Sequence, residues 1–439
     1  MDPRTRLLLE APIARTLLKL GAPNVLVMFA QAAVGLIETY FVGKLGTDAL
    51  AGMALVFPLV MFMQMTSNGA LGGGIASAIA LGFGVVFTLI MLMGGGRIYA
   101  LMGGRGAALN AAQLYSNWVF AGAALIWVFN ALSALIRGTG NMMMQAVVMV
   151  GGAGVLIPLS ALLIFGWGPI PGFGIVGGAL ALLAYYAVGS LILVLYLRSK
   201  GSLLRLDWTR LTFHKPLFWD ILRVGLVGVV STAATNVAIG FATAIVGRFG
   251  TSAIAGYGTA SRLEYLLVPL VFGLGAPLVA MVGTCIGAGQ RERALKATWI
   301  GAAMSFALAE CIGLWAAFFP HTWLSLFDSD PAMVEVGAQY LRIVGPVYGF
   351  FGLGIVLYFA SQGAGKLLWP VIGNIVRLAV ALAGGWLAIR YWNSLTGVFV
   401  AQAVALVIYG SLNASAIAGG AWFGRVGWLR MTAAFPKRA

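Results

Sequence analysis

The chain has 439 residues, 61% of them hydrophobic and 9% charged, with a mean hydropathy of +0.96. A soluble domain carries about 45–50% apolar and about 25% charged residues, and a disordered chain needs the opposite bias, so both classes are excluded. In so apolar a chain the net charge of +15 belongs to loops on one side of a membrane, not to a nucleic-acid surface.

Residues 1–23, MDPRTRLLLEAPIARTLLKLGAP, are basic and lack a small-residue cleavage site behind a short apolar core. They read as an interfacial amphipathic stretch leading into the first span, not a cleaved leader. Apolar runs then fall near 17–42, 50–80, 81–100, 114–136, 142–165, 174–197, 222–246, 253–283, 297–323, 338–362, 367–391 and 396–418. Gly/Pro punctuation such as GWGPIPGFG at 166–174 separates them. A span takes ~20 residues, so twelve use roughly 240 and leave no room for a soluble domain. With both termini cytoplasmic, 19 of the 27 Lys and Arg fall inside and six outside, while Arg262 and Arg377 sit within spans. The expectation is a multi-pass, monomeric protein of a bacterial inner membrane, surrounded by lipid and bound to no nucleic acid. Cys285 and Cys311 are too far apart along one helix for a disulfide, and no metal framework is present.

The two halves repeat. Gly43-Lys-Leu-Gly-Thr-Asp-Ala-Leu-Ala-Gly52 aligns with Gly247-Arg-Phe-Gly-Thr-Ser-Ala-Ile-Ala-Gly256 at an offset of 204. Tyr115 matches Tyr340, and Gly138-Thr-Gly140 matches Gly363-Ala-Gly365, at an offset of 225. An even-numbered unit repeated once gives two parallel six-helix bundles. The predicted organisation is an N-terminal lobe over 1–200, a cytoplasmic linker over 201–221 and a C-terminal lobe over 222–439. The first lobe is 21 residues shorter between about Gly52 and Leu101. Two shortened spans with a tight turn near Gly82 or Gly84 keep the charge rule intact; the alternative is a segment that this chain lacks.

A charge at the bilayer centre costs at least ~2.5–3.5 kcal/mol, so acids within spans are candidates for function. There are three: Glu38, Glu264 and Glu310. Glu38 shares a helix face with Gln31, seven residues earlier, and its repeat counterpart is Ala242. This pair is a candidate cation site, able to exchange a proton or to hold Na⁺ with neighbouring oxygens. Glu264 stands two residues from Arg262, off its helix face, and Arg377 is the candidate neutralising partner. An unpaired Glu264 would instead be a counter-charge for a bound cation. Glu310 has no evident partner and reads as structural. Gln64, Asn68, Asn130, Ser160, Tyr185, Asn236, Gln362 and Asn374 complete the cavity candidates, though interhelical bonding is the commoner use of such residues.

Catalysis has little to work with. Only His214 and His321 are present, and HExxH, GxSxG and Walker A patterns are absent. A channel needs a charged ring or filter loop that the sequence does not display. A flippase for lipid-linked or polysaccharide intermediates needs several cavity-facing cations, and only Arg262 and Arg377 qualify.

Several segments carry a family resemblance: Leu18-Lys-Leu-Gly-Ala-Pro23, Glu38-Thr-x-x-Val-Gly-x-Leu-Gly46, Arg137-Gly-Thr-Gly-Asn141, Leu162-Leu-Ile-Phe-Gly166 and Gly287-Ala-Gly-Gln-Arg-Glu-Arg293. Taken in order with twelve spans and a six-helix repeat, the chain resembles the multidrug and toxic compound extrusion (MATE) transporters over about residues 15–425. The resemblance implies an all-α membrane protein of two pseudo-symmetric six-helix bundles. It also implies export of amphipathic, often cationic compounds in exchange for H⁺ or Na⁺, by alternating access and without a cofactor. The family usually has Asp where Glu38 stands, and that acid is tied to coupling. The chain departs from the family at Leu156, Ser160 and Leu182, where one branch has Asn, Asp and Thr. It departs again at Thr235, where another branch has Glu. Both H⁺ and Na⁺ therefore remain open.

Overall fold

The computed structural model describes residues 8–69, 76–138, 142–199, 236 and 239–423, and some side chains within these ranges, those of Gln31 and Asn68 included, lie outside the description. A segment in lipid must satisfy its backbone hydrogen bonds internally, which makes helices of the apolar runs. The first half comprises α1 (Ile13–Gly43), α2 (Thr47–Gly69), α3 (Ala76–Leu101), α4 (Gly106–Ala121), α5 (Ala123–Gly138), α6 (Met142–Phe165) and α7 (Ile175–Arg198). Between α6 and α7 lies a two-stranded hairpin, β1 (Gly166–Trp167) against β2 (Ile170–Pro171). Gly168 turns it with φ +59°, a conformation that glycine takes without steric cost.

The second half begins with α8 (239–247). It continues through α9 (Thr251–Gly287), α10 (Arg291–Phe318), the short α11 (Pro320–Leu324), α12 (Pro331–Val344), α13 (Tyr348–Gly363), α14 (Leu368–Trp392) and α15 (Leu395–Ala418). Among the described residues nine helices are long and apolar enough to cross a membrane, ten with the bent α4–α5 pair as one span. With α1 and the partly described seventh span, this is the all-α, twelve-span arrangement read from the sequence. The predicted linker over 201–221 lies outside the described residues.

Two sequence expectations need correction. The predicted turn near Gly82 or Gly84 is absent, because α3 runs unbroken from Ala76. Gly84 serves packing: a Cβ there would lie 3.0 Å from the Ala124 backbone. Residues 70–75, between α2 and α3, lie outside the described residues. The fourth run, read as one span over 114–136, is two helices bent by 50° at Gly122. α2 is described over 23 residues and its counterpart α9 over 37.

The repeat is matched contact for contact. A Cβ on Gly52 would meet Ala108 O and Ala112 N; one on Gly256 would meet Met333 O and Gly337 N. These partners are related by the same 225-residue offset that relates Tyr115 to Tyr340. Small residues let helices approach closely where lipid supplies no hydrophobic drive, so these glycines fix the crossings of α2 with α4 and of α9 with α12. Gly46 and Gly250, also repeat mates, share φ values of +106° and +109°. The helix pairings agree too: α6 packs on α7 as α14 packs on α15, and α3 on α5 as α10 on α13.

The chain divides into two compact units. One comprises residues 30–259 and 324–337; the other comprises 1–29, 260–323 and 338–439. In the second, Leu8, Leu9 and Leu17 join a core with Leu278, Val282, Leu295 and Trp422. Arg293, at the start of α10, donates to Leu8 O at 3.2 Å and Ala11 O at 2.5 Å, seating the N-terminal segment. Cys285 is buried and Cys311 exposed, and both are free thiols.

Candidate functional sites

In the unit built on 30–259, α1 delivers Glu38 to a buried position, 3% exposed. The Tyr115 hydroxyl on α4 donates to Glu38 Oε1 at 2.7 Å. Gly178 on α7 gives this carboxylate room, since a Cβ there would lie 3.6 Å from Oε1. Tyr186, two turns further along α7, is close enough to Glu38 for electrostatic interaction. The Tyr186 hydroxyl accepts from Gln64 Nε2 at 3.2 Å. The Ser67 hydroxyl donates to the Gln64 carbonyl at 2.9 Å and accepts from Asn130 Nδ2 at 2.6 Å. Tyr185 packs edge-on against Tyr186 at 5.1 Å, and Phe129 touches both rings. Gln64, Asn130 and Tyr185 therefore share one network through Tyr186 and Ser67. The arrangement presents a buried carboxylate at one end and an aromatic wall at the other.

In the other unit, α9 carries Glu264. The Tyr340 hydroxyl on α12 donates to Glu264 Oε1. Arg377 on α14 and the Tyr348 hydroxyl both lie within electrostatic reach of that carboxylate. The Arg377 guanidinium stacks over the Tyr409 ring at 5.2 Å, a cation–π contact that gains when desolvated. This arrangement sets a carboxylate and a guanidinium within electrostatic reach of each other.

The remaining candidates scatter. Arg262, Ser160 and Asn236 are buried, Asn374 is half-buried and Gln362 is exposed. The Gln31 and Asn68 side chains lie outside the description, so the predicted Gln31–Glu38 face is unobserved. Glu310 accepts the Gly349 backbone N–H at 2.7 Å, in the first turn of α13. That is a helix cap supplied across a packing interface, in keeping with its structural reading. Among the described residues no group of three or more His, Cys, Asp or Glu is placed to hold a metal ion.

Sequence reasoning missed the tyrosines that hold the acids. The signal was present: Tyr115 and Tyr340 are paired by the repeat at the 225-residue offset.

A model of the MatE family matches residues 229–387. A FAD transporter of Shewanella oneidensis is 25% identical over 402 residues, covering 85% of this chain and 88% of that one. A probable multidrug resistance protein, NorM, of Thermotoga maritima is 24% identical over 440 residues, covering 94% of each. Among solved structures, the inward-facing conformation of a multidrug resistance MATE transporter matches with a TM-score of 0.79 at 22% identity. It covers 92% of this chain and 96% of that one, and it shows the twelve-helix pseudo-symmetric fold.

Proposed function

We propose, since the chain belongs to the MATE family of membrane transporters and is not an enzyme, that it is a cation-coupled antiporter exporting amphipathic small molecules. The observation that carries this reading is Glu38: a buried carboxylate in an apolar span, held by Tyr115, with the polar and aromatic network of Tyr186 within its electrostatic range. A charge at that depth is expensive and persists where it is used. H⁺ or Na⁺ entering at Glu38 from outside favours release of cargo, and its departure inside permits reloading. Linkage then requires cation and cargo to weaken each other's binding by the same factor. The sequence spacing makes Gln31, seven residues before Glu38, the candidate second oxygen donor for Na⁺. Both termini face the cytoplasm of the inner membrane, and the chain acts as a monomer.

The deciding experiment is uphill efflux from proteoliposomes under ΔpH or ΔNa⁺ imposed separately, with wild type and Glu38→Gln. The effective gradient names the ion. Loss of uphill movement in Glu38→Gln is the expected result; unimpaired transport moves the coupling role to Glu264.

A second reading concerns cargo charge. The resemblance to a FAD transporter, together with the Arg377 guanidinium beside Glu264, favours a cargo with an anionic group. Efflux of a flavin nucleotide against efflux of a planar cationic dye separates the two readings. Transport of the anion that is lost in Arg377→Gln supports the second.

A further inference from the structure

We propose that the loops over 102–105 and 325–330 form a two-part clasp that closes the outer end of the transporter and must part in every transport cycle. The side assigned to the clasp, and its role in a cycle, rest on the orientation and the antiport reading proposed above. The residues involved all belong to the unit comprising 30–259 and 324–337.

Gly52 and Gly256 make their close contacts within their own sequence halves. Gly43 and Gly247, nine residues earlier in each block, do the opposite. A Cβ on Gly43 would lie 2.2 Å from the Phe327 carbonyl oxygen, and one on Gly247 would lie 2.6 Å from the Met102 carbonyl oxygen. Met102 and Phe327 are repeat mates at the 225-residue offset. Each half thus sends the loop after its third span onto the glycine that ends the other half's first span. Between the two contacts, Gly258 on α9 faces its own mate Ala54 on α2; a Cβ there would lie 2.4 Å from Ala54 Cβ. Mates that touch each other mark the pseudo-two-fold axis, and the loops cross it on either side.

The two parts differ in strength. On the Gly43 side the Thr47 hydroxyl donates to Asp328 Oδ2 at 2.6 Å, and Asp328 Oδ1 accepts the backbone N–H groups of Ser329 and Asp330. The position equivalent to Asp328 on the other side is Gly103, which has no side chain to offer. The clasp therefore has one polar latch and one steric seat.

The test starts from a chain carrying Cys285→Ser and Cys311→Ser. Adding Thr47→Cys with Asp328→Cys places two thiols where a hydroxyl and a carboxylate now bond. Oxidation is expected to cross-link them and reduce transport at least tenfold, with recovery when an impermeant reductant is added outside. A cross-linked chain that transports at the reduced chain's rate overturns the proposal. So does recovery only with reductant on the cytoplasmic side. If the reduced chain moves neither cationic nor anionic cargo, the antiport reading fails. The clasp is then judged by labelling a lone Thr47→Cys with an impermeant maleimide. Gly43→Ala should raise that labelling rate several-fold by wedging the loop from its seat, and an unchanged rate overturns the clasp.

Discussion

The two halves keep one tyrosine in register and give it acids from different helices. Tyr115 holds Glu38 from the first span, whereas Tyr340 holds Glu264 from the eighth. Glu38 has Ala242 as its repeat counterpart, and Glu264 has Val60. Yet the glycine notches that cross α2 with α4 and α9 with α12 are equivalent to the backbone atom. Scaffold contacts have stayed symmetric while charges have not. On the antiport reading proposed above, a symmetric scaffold would serve a motion of both halves, and the asymmetric acids would divide cation and cargo between them.

This comparison is broken most directly at the acids. Glu38→Gln should abolish uphill transport while leaving the folded chain extractable as a monomer; equal activity under an imposed gradient would remove the asymmetry. Next in size come the tyrosines. A hydrogen bond to a charged group is worth about 1.5–3 kcal/mol, so Tyr115→Phe should lower coupled transport by roughly ten- to a hundredfold. Tyr340→Phe should chiefly change the apparent KM for cargo. If the two variants exchange these phenotypes, the assigned roles of the halves are reversed.

Smaller effects test the shared scaffold. Gly52→Ala and Gly256→Ala each force a Cβ against backbone atoms and should destabilise by about 1–3 kcal/mol, to a similar extent, in thermal unfolding in detergent. A large difference between them would show that the contacts are not equivalent. Smallest is Gly94→Ala: nothing lies within 4 Å of the added Cβ, and the helix should gain about 0.5–1 kcal/mol.

Much of the fold was legible because membrane spans announce themselves by composition. The repeat was legible because both halves need glycine at the same close crossings. What the sequence hid was the use made of particular glycines. Gly84 resembles a turn residue but is a packing notch against Ala124, and sequence alone does not distinguish the two uses. The bend at Gly122 escaped notice because apolar side chains continue on both sides of it. At the candidate site the acids stood out by their cost in lipid. The tyrosines did not, since an aromatic in a span has packing and interfacial uses as well. Glu310 shows the limit of reading acids as functional: its carboxylate is used up on the Gly349 amide.

The seat that Arg293 makes for Leu8 and Ala11 has a consequence for biogenesis. The bonded atoms are separated by more than 280 residues. The segment containing Leu8 and Ala11 therefore finds its place only after the start of α10 has been made. Until then Leu8 and Leu9 have no core to enter, and the interfacial character of the basic N-terminus gives them a waiting position at the lipid surface. Contacts this distant in sequence form late and slowly. Docking of Leu8 and Ala11 thus cannot precede synthesis of α10, whatever the order of the steps around it.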